Sequence, residues 1–290
     1  MSDQRKNPLK EELAQSLKER VQKYRNDQAR VQEYLQKNPN APEEQRNHDR
    51  KIISIGVARL ESVFEQILPF ISRIRNLIID PLEQSKLAAS YLLLGKIAQT
   101  WRAVFLLMRD GFHYETMELI RSIYEAKGLV FVFMNGDNES SDLTKWLSGE
   151  IIANERARAK MHEYMNTDAA HAGVVLPIRD MMDGVYAGLS KYSHASYAAL
   201  LDSFDVYQRD FDFEKTASLH YVRSSSIPYA ANELEGTIVI LKGFYQVLGD
   251  TESYKKLDQI LRQIAPEMYN KTAIKQTTEA MIKKFPQNKE

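Results

Sequence analysis

Two short segments carry side chains with chemistry to offer. In His113–Gly136, "HYETMELIRSIYEAKGLVFVFMNG", Arg121 and Glu125 stand four residues apart, just ahead of the apolar run Leu129–Met134. On a helix that spacing lets the two side chains pair. On an exposed helix the pair contributes only a few tenths of a kcal/mol. A helix whose end is apolar all round is buried, however, and buried charges need further partners. The second segment, Lys191–Ser196, sets Tyr192, Ser193 and His194 in a row. It offers two hydroxyls and an imidazole that changes charge near neutral pH. The expectation is a polar cluster of Arg121, Glu125, Tyr192, Ser193 and His194 inside a bundle, bordered by Lys96 and Gln99. Such a cluster either fixes helix register or forms a ligand or catalytic site. The sequence leaves both open.

These residues need helices to hold them. In Leu87–Gly111, Leu93, Ile97, Trp101, Val104, Phe105 and Met108 fall on one face, and Gly111 is placed to end the helix. With the Arg121 helix it predicts an antiparallel hairpin over about 85–135, the core of the domain. Upstream, a helix from Pro42 to about Ile79 presents Ile52, Ile55, Leu60, Val63, Phe64, Ile67, Ile71 and Ile74, and Pro69 is expected to kink or split it. Downstream, one helix from Ser140–Asp142 to about Met165, a loop over 166–177 and a second core element over about 178–204 are expected. Residues 205–224 read as loop or as a short hairpin with Phe211 and Phe213. Helices return at about 226–248, 251–264 and 270–284.

The first 45 residues differ in character. Leu17, Val21, Tyr24, Gln28, Val31 and Leu35 follow alternating steps of four and three, a narrow stripe among charged residues. So thin a stripe pairs with another helix, within the chain or in a second subunit. The expected architecture is therefore all-α: a charged N-terminal helical arm, 1–45, on a multi-helix bundle, 46–290.

Composition narrows the function classes. The 290 residues include 12 Gly and 9 Pro, a bias toward helix. The 39 basic and 39 acidic residues cancel, so no overall field draws the chain to nucleic acid or anionic lipid, and the charge gives no support to an RNA partner. With no cysteine, disulfides, thiolate catalysis and Cys-based metal centres are excluded. No segment has the apolar core of a signal peptide or the length of a membrane span, which makes the cytoplasm the expected location and a membrane partner unexpected. No Gly-rich phosphate loop, GxSxG, GxGxxG, HExxH or Glu-x-x-His element occurs, so neither cofactor nor metal is expected.

"ELIRSIYEAKGLVFVFMNG" followed far downstream by "KYSHASYAAL" resembles an uncharacterised group of bacterial all-helical proteins that look like relatives of the HEPN superfamily. The resemblance covers roughly residues 85–205. It implies a helical bundle core, frequent homodimers and, in many members, metal-independent ribonucleases of toxin–antitoxin or phage-defence systems. Those members place an Arg four to six residues before a His on one helix. Arg156 and His162 have that spacing, in a charged segment where chance also supplies it, and His194 has no such arginine upstream. The expected function is therefore a non-catalytic helical module that binds a protein partner or dimerises, within a stress or phage-defence system. The alternatives are a ribonuclease of HEPN type and a small-ligand pocket around Arg121 and His194.

Overall fold

The computed structural model describes residues 33, 36–78, 84–136, 141–171, 178–193 and 219–264, with backbone alone at 41–42, 164–171, 178–182 and 193. Everything else lies outside the described residues, including most of the N-terminal arm, Phe211, Phe213 and the segment 270–284. Among the described residues the chain is all-α, with no strand.

The central hairpin forms as its pattern predicts. Helix α2 is Lys86–Asp110 and helix α3 is His113–Asn135. Ser85 caps α2, its hydroxyl accepting the Ala88 amide at 3.1 Å. At the other end Gly111, with φ of 87°, turns the chain: its amide donates to Met108 and that of Phe112 to Leu107. A side chain at this left-handed position would be strained, so glycine sets the sharpness of the turn. All six residues assigned to the apolar face of α2 are buried. Trp101 and Phe105 stack at 5.5 Å between ring centroids.

Helix α1, Ala41–Arg75, packs along α2 of this hairpin and takes in the last five residues, 41–45, of the expected arm. Its buried residues Ile53, Val57, Leu60, Phe64, Ile67, Ile71 and Ile74 step by four and three. In the first turns the inward pair is Ile53 and Val57; Ile55, expected there, is 48% exposed. Both choices fit an apolar periodicity, and the packing partner selected one. Pro69 does not split α1. It sits on the exposed face, where water can satisfy the carbonyl that lost its donor. Phe64 meets Phe105 edge-on at 5.6 Å, and Arg109 pairs with Glu61.

The single helix expected from 141 to 165 is two. Helix α4, Ser141–Leu147, is short and puts Trp146 5.4 Å from Phe133. It ends at Gly149, whose φ of 90° turns the chain before helix α5, Asn154–His171. The same left-handed glycine turn that closes α2 acts here, between charged segments that mimic a continuous solvated helix in sequence. Helix α5 also runs six residues, 166–171, into the segment expected to be loop.

Helix α6 is Ile178–Ser193. A single turn, Leu219–Tyr221, leads through a π turn, Val222–Ser226, into helix α7, Ile227–Val247. Helix α8, Thr251–Ile264, returns along α7. Helix α7 runs parallel to α1: Ile227 approaches Gly56, and Tyr245 meets Phe70 at 6.0 Å. Helix α3 is the hub, packed by α2, α5, α6 and α7. No helix among the described residues is long and apolar enough to cross a membrane.

Candidate functional site

Arg121 and Glu125 pair along α3, with Arg121 Nε 2.8 Å from Glu125 Oε1. The pair is half-buried: the side chains are 15% and 28% exposed. Further partners arrive from α5 and α6. Arg121 Nη2 donates to the hydroxyl of Tyr186 at 2.8 Å, and Asn154 Nδ2 donates to Glu125 Oε1 at 2.6 Å. Asn154 also lies 3.4 Å from the Tyr186 hydroxyl. Arg158, one turn after Asn154, places its guanidinium over the Tyr186 ring at 3.8 Å from the centroid. Its Nε donates to Asp183 Oδ1 at 3.2 Å. Tyr186 is thus the centre of the cluster, with two arginines on its ring and hydroxyl.

The partner expected from α6 was Tyr192, and it is elsewhere. Its hydroxyl lies 3.0 Å from His113 Nε2, at the first residue of α3. Helices α3 and α6 are antiparallel, so the residue that reaches Arg121 must lie earlier on α6 than the one that reaches His113. Tyr186 meets that condition. Ser193 ends α6, and His194 lies outside the described residues. Lys96 and Gln99 are exposed on α2.

Around His113 a second polar group is sealed. Its Nδ1 is 2.8 Å from Ser226 Oγ, on the π turn. His113 and Ser226 are both fully buried, and the His113 ring stacks on Tyr221 at 5.6 Å. A serine, a histidine and a tyrosine in hydrogen-bond sequence have the residue types of a nucleophilic relay, but no substrate reaches a group without solvent contact. The π turn is what aims Ser226 here, and it is pinned from outside by Arg223, whose Nη1 lies 3.0 Å from the buried Asp49.

A third group completes the polar layer. Lys127 of α3 and Glu233 of α7 pair at 2.5 Å with side chains only 9% and 2% exposed. The Lys127 ammonium also donates to the Glu233 carbonyl at 3.2 Å. Gly236 makes room for it: a Cβ there would lie 2.3 Å from Nζ. Tyr124 stands between this pair and Arg158. Burial, with the Glu233 carboxylate adding to it, pushes its phenol well above the ordinary value.

Arg156 and His162, the ribonuclease-spaced pair, do not converge. Six residues turn a helix through roughly 240°, so the two leave α5 on different faces. Arg156 is bound to Asp142 at 2.6 Å and its side chain is 46% exposed, whereas His162 is buried. Lys160 holds the other oxygen of Asp142. Among the described residues no three His, Asp or Glu side chains gather to hold a metal ion.

Searches against protein-family models, curated proteins and solved structures find no match to this chain. Its function is therefore read from its own surfaces. Among the described residues there is also a groove of about 450 Å³ between the end of α3, the second half of α7 and Tyr254 of α8. Val130, Met134, Val239, Val247 and Tyr254 line it, with Lys242 at the rim. Lys242 pairs with Asp258 and rests on the Tyr254 ring at 4.9 Å, so the rim is neutral. Gly243 leaves open space where any other residue would place a side chain.

Sequence reasoning found Arg121 and Glu125 and missed Asn154, Arg158, Asp183, Tyr186, Lys127 and Glu233. Two signals were legible. Lys127 stands closer to the apolar run than either charge that drew attention. A glycine inside the apolar stretch "GTIVIL" marks a close approach on α7.

Proposed function

We propose that this chain is a non-catalytic helical module that associates with a second copy of itself through the groove between α3, α7 and α8. The groove carries this reading. Val239 and Val247, which line it on α7, are 44% and 56% exposed and leave apolar surface open beside the concavity. A narrow apolar groove with a neutral rim suits the apolar stripe of an amphipathic helix. The sequence supplies such a stripe in Leu17, Val21, Tyr24, Val31 and Leu35. Its flanking residues carry both signs of charge, as a neutral rim requires. The wider setting, a stress or phage-defence system, rests on the family resemblance alone.

The test uses Gly243→Leu, which fills the groove from a position with free space and leaves the core untouched. Sedimentation of the full chain is expected to show a dimer that Gly243→Leu reduces to monomer, and a peptide spanning 12–37 is expected to bind the intact groove alone. A monomer at all concentrations that also ignores the peptide would overturn the reading. Ribonuclease chemistry needs its arginine and histidine on one face, which Arg156 and His162 do not share. RNA cleavage lost in His162→Ala would replace the binding reading.

A further inference from the structure

We infer that the outward side of α2 is a docking seam for an acidic amphipathic helix of a partner protein, independent of the groove. Helix α2 packs on α1, α3 and α4 and leaves this side exposed. Leu92 and Leu106 stand on it, 45% and 59% exposed, and Leu106 is the most exposed leucine among the described residues. Either leucine alone would be ordinary surface. Together they are in register. Gln99 lies midway, seven residues from each, and steps of seven keep one line along a helix. The line is about 21 Å long, close to four turns. Beside it Gly95 leaves a notch, since a Cβ there would meet no neighbour within 4 Å. An apolar side chain of an incoming helix fits such a notch.

Charge decides the occupant. Lys96 and Arg102 stand three residues either side of Gln99, so they flank the line on opposite sides, each about 60° from it. Flanking charges of this kind choose partners in coiled coils. Both side chains are exposed, and among the described residues neither meets a carboxylate. The next cation along, Arg109, is paired with Glu61. Helix α2 has no acid before Asp110, so the seam is cationic on a chain of zero net charge. A second copy docked antiparallel would match Leu92 with Leu106 and Gln99 with itself. It would also set Lys96 against Arg102, and again by symmetry, with no acid between them. The N-terminal arm carries both signs beside its stripe and offers no acidic face. A lipid surface would bury the Gln99 amide between the leucines without a partner. A helix with carboxylates on both flanks of its apolar line covers the leucines and meets both cations.

The experiment pans the full chain against a phage-displayed library of helical peptides about 22 residues long, enough to span the seam. Binders that Gly243→Leu keeps and Leu106→Ser loses belong to α2, so failure here is separable from failure of the groove. They are expected to carry Glu or Asp on both flanks of an apolar line. As synthetic peptides they are expected to bind Leu106→Ser about tenfold more weakly, because the burial of that leucine is lost. Lys96→Glu combined with Arg102→Glu is expected to reject them and to accept the same peptides with Lys in place of each acid. All three positions are exposed, so the variants are expected to melt with the wild type. Absence of α2-dependent binders overturns the inference, and so do α2-dependent binders that are neutral or basic. Sedimentation with phosphatidylserine vesicles that is lost in Leu106→Ser overturns it in favour of a lipid surface.

Discussion

At the scale of single residues, the polar layer separates charges by how deeply they are sealed. Lys127 and Glu233 are sealed, so each depends on the other. Glu233→Leu alone is expected to destabilise the chain by about 3–5 kcal/mol in urea unfolding, because an unpaired ammonium stays buried. Adding Lys127→Met is expected to recover most of that loss, since an apolar pair of similar volume needs no desolvation of charge. Gly236→Ala strikes the same pair sterically, and an added methyl against a packed group is expected to cost about 1–3 kcal/mol. Arg121 is half-buried, and Glu125 keeps Asn154 when Arg121 is removed. Arg121→Met is therefore expected to cost about 1–3 kcal/mol, less than a sealed pair.

At the scale of elements, helix ends set the lengths of the bundle. Asp250 begins α8: its carboxylate accepts the Ser253 amide at 3.0 Å and the Ser253 hydroxyl at 2.7 Å. The bond from the Ser253 amide, then that from its hydroxyl, holds the carboxyl below its ordinary value of 3.8. A depressed folded-state value means that the contribution is fully present above 3.8 and is lost as pH falls through the lower folded value. Wild type is expected to melt above Asp250→Asn at neutral pH, the gap closing under acid. Equal gaps at both pH values would remove the charge from the capping role. Within α7, Gly243 has free space around it and a helical backbone. Gly243→Ala is expected to raise stability by about 0.5–1 kcal/mol in urea unfolding, as the unfolded chain loses freedom.

At the scale of the molecule, α3 is surrounded by α2, α5, α6 and α7, and it carries a member of every polar group that ties those helices together. His113 binds the end of α6 and the π turn, Arg121 and Glu125 bind α5 and α6, and Lys127 binds α7. Spaced along one helix, these contacts fix the register of α5, α6 and α7 against it. Hydrogen exchange followed by mass spectrometry is expected to find the α3 amides the slowest in the chain, since α3 opens only when the bundle does. Faster exchange in α3 than in α8 would show that the bundle opens along α3 first.

The helices themselves were legible because apolar periodicity is a local property. The face of α2, the presence of a helix at α7 and the turn at Gly111 follow from residues a few positions apart, whatever they pack against. The sequence also showed that Arg121 and Glu125 are neighbours and head toward the interior, since spacing on one helix decides that. It did not choose Tyr186 over Tyr192. That choice depends on how far α6 slides along α3, which the sealed His113–Tyr192–Ser226 contact fixes at the far end of the helix. Nor did it join Lys127 to Glu233, which are more than a hundred residues apart in the chain. Partner choice between helices is settled by packing, where one shift of register exchanges every contact on a face. Only the folded bundle determines which tyrosine meets Arg121 and which acid meets Lys127.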